Sequence, residues 1–132
     1  MDDEQRPQSV RTAIGTMWIE DGVLWHRLET QDTITEEHAL SVIDAIERLT
    51  EGNPMPAVVD MSHIGFATAA ARSRFAGDVD GSQESATALV VRHGPGRLMA
   101  SVYLKLAKPK RPTGVFVDAR KAAEWAAGFK TN

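Results

Sequence analysis

The sequence predicts one α/β domain with a mostly parallel sheet. Three short apolar runs, at residues 56–61, 86–93 and 114–118, alternate with segments of helical periodicity, and strands that alternate with helices pair in parallel. A hairpin precedes them and adds an antiparallel strand. The predicted order is β-β-α-β-α-β-α-β-α within residues 10–132. Residues 1–9 have no apolar periodicity and are predicted to be a disordered tail.

Composition narrows the class of protein. The chain has 132 residues and no cysteine, which allows one domain with its own core and excludes disulfide scaffolds and thiolate chemistry. Its 15 basic and 18 acidic residues give a net charge of −3, whereas nucleic-acid-binding proteins usually have a basic excess. The apolar runs are too short to span a membrane, and the acidic start is unlike a secretory signal. We therefore expect a cytoplasmic protein with no nucleic-acid partner and no membrane span.

Residues 12–29 are predicted to form the hairpin. Apolar segments flank Asp21-Gly22, a pair that adopts the positive φ angles of a two-residue type I′ turn. Alternation along the second strand divides its side chains into two faces, with Trp25 and Arg27 on one and Leu24, His26 and Leu28 on the other. Large exposed aromatic side chains often mark an interface, so Trp18 or Trp25 is predicted to pair two copies of the chain as a homodimer.

The first long helix is predicted within residues 30–53. Its apolar side chains recur at helical spacing, namely Ala39, Val42, Ile43, Ile46 and Leu49. Thr35 is the predicted N-cap, since its hydroxyl oxygen can accept a free amide of the first turn. Thr33 with Glu36 matches a capping box and is the competing start. Gly52 is predicted to end the helix.

Three shorter helices are predicted to follow the apolar strands. The first, at residues 69–76, has few large apolar side chains. The second begins at Gly94-Pro95-Gly96, and its predicted apolar stripe consists of Leu98, Met99, Val102, Tyr103 and Leu106. The third is capped by Asp118, and its predicted stripe consists of Ala122, Trp125, Ala126 and Phe129.

Two segments resemble a known family. VVDMSHIGFATAAARSRF, at residues 58–75, and the ending GVFVDARKAAEWAAGF are similar to the STAS domains, which include anti-sigma-factor antagonists and domains of sulfate transporters. The ending is most similar to small STAS-like bacterial proteins. In the antagonists an apolar strand ends in an aspartate, which Asp60 matches, and a serine at the next helix start is phosphorylated. Ala69 stands at that serine's position, with Thr68 before it. The resemblance therefore implies a STAS-like interaction domain without the usual phosphoserine.

A set of polar residues follows the predicted strands. In open α/β sheets, ligands bind beyond the carboxyl ends of the strands. The candidate binding residues are Asp60, Ser62, His63, Thr68, Arg72, His93, Arg97 and Asp118. In this interpretation Arg72 and Arg97 would hold an anion. The competing interpretation is that Thr68 and Asp118 only cap helices and that Ser62 shapes a turn.

The motifs favour a binding protein over an enzyme. No two of the four histidines have metal-ligand spacing, and the GxSxG nucleophile motif is absent. HGPGR, at residues 93–97, is not a phosphate-binding loop, although a helix N-terminus attracts anions. The leading hypothesis is a non-catalytic domain, without metal or cofactor, that docks on a protein partner or on itself. The alternative is a module that binds a small anionic molecule or a lipid at the carboxyl edge, and the third hypothesis is a phosphorylation switch at Thr68 or Ser62.

Overall fold

A computed structural model of the chain describes residues 9–30, 32–63, 66–76, 84–92 and 95–130. The strands in this part of the chain are β1 (Val10–Thr12), β2 (Gly15–Glu20), β3 (Val23–Leu28), β4 (Met55–Asp60), β5 (Glu84–Val90) and β6 (Thr113–Phe116). The helices are α1 (Glu36–Thr50), α2 (Ala69–Phe75), α3 (Pro95–Val102) and α4 (Ala119–Ala127), and α3 continues into a π-helical turn at Tyr103–Ala107. Residues 1–8, most of the predicted tail, lie outside the described residues.

The strands form one sheet in the order β1-β2-β3-β4-β5-β6. Strands β1 to β3 pair antiparallel, and strands β3 to β6 pair in parallel, which confirms the predicted fold class. Strand β1 was absent from the predicted order. Its end is marked by Thr12, whose hydroxyl accepts a hydrogen bond from the amide of Ile14 and donates one to the carbonyl of Gly15. This local turn separates two strands that the sequence pattern merges into one.

The hairpin turn and the capping of α1 follow from single residues. Asp21 and Gly22 have φ angles of 52° and 77°, as the predicted type I′ turn requires. The Thr35 hydroxyl accepts the amide of His38 at 3.3 Å, and His38 Nδ1 accepts the amide of Thr35 at 3.1 Å. This reciprocal pair confirms Thr35 as the N-cap, so the competing start at Thr33 is wrong.

Helices cover the two faces of the sheet unequally. Helices α1, α2 and α3 contribute to the larger core, on what we call the inner face, and that core includes Met17, Leu24, Val42, Ile46, Leu89, Met99 and Tyr103. On the outer face, α4 packs Ala122 and Ala126 against Val58, Ala88 and Val90. Aromatic contacts of Trp125 with Phe116 and Phe129 extend that layer, so the predicted stripe of the last helix is confirmed.

Two of the predicted burial patterns are wrong. Strand β6 is an edge strand rather than a water-shielded one, since Val115 is 41% exposed and Val117, just beyond it, is 61% exposed. In α3 the buried stripe includes Met99 and Tyr103, whereas Leu98 is 66% exposed. Each helical residue is rotated by about 100° from the one before, so a stripe centred on Met99 turns Leu98 toward solvent. Leu106 lies in the π-helical turn and is also exposed.

The hairpin face that was predicted to pair two copies is used within the chain. Trp18 is only 4% exposed. Its ring stacks on Trp25 with centroids 6.0 Å apart, and the Arg27 guanidinium lies 5.3 Å from the centroid of Trp18. The expectation that Trp18 is an exposed interface residue is therefore wrong, and self-association stays a prediction. Among the described residues, no helix combines the length and apolar character needed to cross a bilayer.

Candidate functional site

The carboxyl edge of the parallel strands forms as predicted. Asp60, Val90 and Phe116 are in register across β4, β5 and β6, so these strands end side by side. Asp60 Oδ1 accepts the amide of Ser62 at 2.9 Å, whereas the Ser62 hydroxyl is buried and has no hydrogen-bond partner among the described residues. His63, one residue further on, is exposed.

Two of the candidate binding residues cap helices. The Thr68 hydroxyl accepts the amide of Ala71 at 3.1 Å at the start of α2. Asp118 Oδ1 accepts the amides of Arg120 at 2.7 Å and Lys121 at 3.4 Å at the start of α4. These two hydrogen bonds lower the pKa of the Asp118 carboxyl below its usual value, because they stabilise the charged form. The capping interpretation therefore accounts for both side chains without a ligand.

The remaining candidates differ in position. Arg97 is exposed on the first turns of α3. His93 lies outside the described residues, as does Gly94 of the predicted Gly-Pro-Gly helix start. Arg72, in α2, is the candidate that lines a cavity between the sheet and the helices.

This cavity, of about 80 Å³, lies on the inner face between the sheet and helices α1, α2 and α3. Its apolar lining residues are Leu28, Ile34, Val42, Ile46, Val59, Met61, Ala67, Phe75, Leu89 and Met99. Its polar lining residues are His26, Arg72, Glu84, Thr87 and Tyr103. The cavity is thus an apolar chamber beneath the helices, with a few polar side chains, and not the polar cleft that the sequence predicted at the edge of the sheet.

His26 occupies the floor of this chamber. It is in register with Val59 of β4, which is in register with Leu89 of β5. The His26 side chain is 5% exposed, and its Nε2 atom has no hydrogen-bond partner in the described part of the chain. Burial lowers the pKa of this imidazole to about 4, because the charged form loses its hydration. His26 is therefore a neutral polar group in apolar surroundings at neutral pH.

A polar cluster lies near the amino end of β5. Arg111 Nη1 lies 4.0 Å from Glu84 Oε1 and donates to the Phe75 carbonyl at 2.9 Å. The Thr87 hydroxyl donates to the same Glu84 oxygen. Burial raises the pKa of the Tyr103 hydroxyl to about 12, and the nearby Arg111 charge opposes that rise. The cation and the carboxylate of this cluster are thus already paired.

Arg72 lines the chamber where α2 meets α3 and the segment before α2. Its Nη1 donates to the Ala67 carbonyl and lies 3.8 Å from Met99 Sδ, while its guanidinium carbon lies 5.9 Å from the ring centroid of Phe66. The Ile34 amide donates to the Phe66 carbonyl, and the Thr68 amide donates to the Ile34 carbonyl. These bonds join the segment before α1 to the segment before α2.

Sequence reasoning did not select His26 as a site residue, although it placed His26 between Leu24 and Leu28 on an apolar strand face. A polar residue in such a face is the signal that points to it. Within the described ranges, no group of three or more histidine, aspartate or glutamate residues is arranged to hold a metal ion.

Comparison with known proteins supports the fold but does not supply an activity. A family model described as a domain of unknown function, DUF7793, matches residues 17–130. Among solved structures, the chain is similar to an uncharacterised DUF3478-family protein with a SpoIIAA-like fold from Shewanella loihica PV-4. The TM-score is 0.58 and the identity 16%, over 86% of this chain and 92% of the other. No curated protein matches the chain. The likeness confirms the STAS-like fold that the sequence suggested.

Proposed function

The chain belongs to the DUF7793 family, a domain of unknown function, and we propose that it is a non-catalytic module that binds a small apolar molecule or the apolar end of a larger one. The observation that carries this proposal is the chamber of about 80 Å³ between the sheet and three helices. Close-packed interiors rarely hold voids much larger than a water molecule. This volume is that of two or three molecules in liquid water, and its mostly apolar lining disfavours water as the occupant.

The elements around the proposed site are joined by hydrogen bonds and an ion pair. The floor consists of three hydrogen-bonded strands, β3, β4 and β5. An ion pair of 2.8 Å between Arg74 and Glu36 joins α2 to α1, and the carbonyls of Phe75 and Ala76 accept from Arg111 and Lys110. Ligand sites are usually preformed and built on rigid elements, which favours this chamber over the exposed ends of the strands.

No reaction is part of the proposal. A catalytic histidine is usually oriented by a carboxylate that accepts a hydrogen bond from its ring. In the part of the chain that the structure describes, His26 has no such partner at Nε2, and Glu84 is engaged with Thr87 and Arg111. These contacts suit recognition of a ligand rather than proton transfer.

A cavity-filling variant tests the proposal. In Leu89→Phe the larger side chain fills the chamber, whereas Leu40→Phe makes the same change at an exposed position of α1. Xenon binds apolar cavities. We expect saturable amide shifts around Val59 and Met99 when xenon is added to the wild type and Leu40→Phe, and none in Leu89→Phe. The same two proteins should release a small apolar molecule on extraction. Wild-type protein with neither response would contradict the proposal.

Docking on a protein partner, the leading hypothesis from sequence, is the second candidate function. Its support is the exposure of several large apolar side chains. These are Leu98 and Leu106 in and after α3, Phe66, Val115 and Val117, and, on the separate helix α1, Leu40. The double variant Leu98→Asp/Leu106→Asp should abolish association that sedimentation detects for the wild type, and Leu40→Asp is the matched control. Equal sedimentation of all three as monomers, with no partner cross-linked in cells, would exclude this candidate.

The phosphorylation hypothesis has a separate test. Thr68 stands at the start of α2 next to Ala69, and the Ser62 hydroxyl is buried, so Thr68 is the better acceptor of the two. Mass spectrometry of protein from growing and stressed cells should detect phosphate on Thr68. Unmodified Thr68 and Ser62 under every condition would exclude the switch.

A further inference from the structure

His26 is the polar feature of the chamber that its own fold leaves incomplete. The imidazole lines the cavity, its side chain is 5% exposed, and Nε2 makes no hydrogen bond to any described residue. Nine in ten or more buried polar groups have a partner. Because His26 also lines the cavity, a molecule bound there is the candidate partner for its ring.

The charged groups around the chamber favour an uncharged partner. Arg72 is directed to the Ala67 carbonyl and the Phe66 ring, and Glu84 is paired with Arg111. His26 carries no charge at neutral pH, because burial lowers its pKa to about 4. A buried ion without a counter-ion is costly. A ligand with a charged head group would therefore lack a dedicated partner at the floor of the chamber.

We propose that the chamber binds a neutral alcohol, whose hydroxyl group forms a hydrogen bond with the imidazole of His26 while its hydrocarbon part lies against Val59 and Leu89. Nε2 is closed off from the chamber in the structure, so this hydrogen bond requires the His26 ring to turn about its Cβ–Cγ bond until a nitrogen faces the ligand. A cavity of about 150 Å³ holds the six carbons of benzene, so the part of the ligand enclosed by about 80 Å³ has about three carbon atoms. This inference rests on the proposed function, and it specifies the ligand of the same site.

Three probes of matched size separate the possible ligand classes. 1-Butanol carries the hydroxyl, butyrate has a carboxylate in place of the CH₂OH group, and n-pentane has a methyl group in place of the hydroxyl. At pH 7 we expect 1-butanol to bind the wild type about twofold to tenfold more tightly than either of the others, since that is the contribution of one hydrogen bond to affinity. A long-chain alcohol, 1-dodecanol, tests whether the source is a lipid: tighter binding than 1-butanol supports an alcohol-bearing lipid, and weaker binding supports a small free alcohol.

Two variants assign the recognition to His26. His26→Leu should bind 1-butanol and n-pentane equally, whereas His63→Leu, at an exposed position, should keep the preference of the wild type. In wild-type protein, 1-butanol but not n-pentane should shift the ¹⁵N resonances of the His26 ring, a measurement that does not depend on the variant folding. Tightest binding of butyrate, or a preference for 1-butanol that persists in His26→Leu, would overturn the inference. Binding of n-pentane with no preference for 1-butanol would do so too, yet leave the proposed function standing, and the absence of binding by every probe would overturn both.

Discussion

Lowering the pH from 6.5 to about 4 should destabilise the fold, because the buried His26 resists protonation. The pKa of the folded-state imidazole is about 4, against 6.5 for an ordinary histidine. Between these values the unfolded chain takes up a proton that the folded chain does not bind, so stability falls as pH falls from 6.5 to about 4. The difference is about 2.5 pH units, and at about 1.4 kcal/mol per unit it amounts to about 3 kcal/mol.

That loss is a large share of the stability of an ordinary domain, which is about 5–15 kcal/mol. Carboxylates also titrate in this range, so the informative quantity is the difference in unfolding free energy between the wild type and His26→Leu. We expect urea unfolding, followed by tryptophan fluorescence at pH 7, 6, 5 and 4, to show this difference shifting by about 3 kcal/mol in favour of the variant as the pH is lowered.

His63→Leu controls for the loss of an imidazole, because His63 is exposed. Comparing the two variants separates the effect of a buried imidazole from that of removing any histidine. If the difference between His26→Leu and the wild type were the same at pH 7 and pH 4, the burial of a neutral His26 would be refuted.

Three further predictions concern stability. Tyr103 is the one tyrosine of the chain, so absorbance at 295 nm should report its ionisation. We expect a midpoint near pH 12 in the folded protein and near pH 10 in urea, and the free energy of unfolding should fall as pH rises between these values. Equal midpoints would contradict the burial of Tyr103. Arg111→Met leaves Glu84 buried without its cation and should lower the free energy of unfolding in urea by about 3–5 kcal/mol. The double variant Arg111→Met/Glu84→Gln should regain much of this loss, and no regain would contradict a stabilising ion pair. Gly15→Ala makes the new Cβ overlap the backbone oxygen of Arg27 in β3 and should cost about 1–3 kcal/mol. Gly128→Ala, whose Cβ has its nearest contact at 3.4 Å, should cost little. Similar losses in both variants would contradict the close approach of β2 and β3 at Gly15.

The features that sequence predicted correctly are those that depend on neighbouring residues. The Asp21-Gly22 turn, the Thr35 cap and the Asp118 cap each need a few consecutive positions, and the apolar runs of β4 and β5 set the parallel core. Strand β1 was missed because three residues are too few to show a period of two. Local chemistry was therefore sufficient for the order of most elements.

The chamber was missed because it depends on segments that are far apart in the chain. His26 and Tyr103 belong to β3 and to the π-helical turn, and their shared cavity arises from how α2 and α3 lie over the sheet. The same packing decides that Met99 rather than Leu98 faces inward. Periodicity identifies an apolar stripe but does not fix its rotation when apolar residues are adjacent.

The stacked Trp18 and Trp25 rings have a consequence for the outer face of the sheet. Helix α4 packs on the parallel strands, whereas the antiparallel end carries the two stacked indoles and the Arg27 guanidinium over the Trp18 ring. Three side chains of the hairpin thus cover this part of the outer face themselves. Point substitutions at Trp18, Trp25 and Arg27 can therefore change the surface of this end of the sheet, without any change in chain length or connectivity.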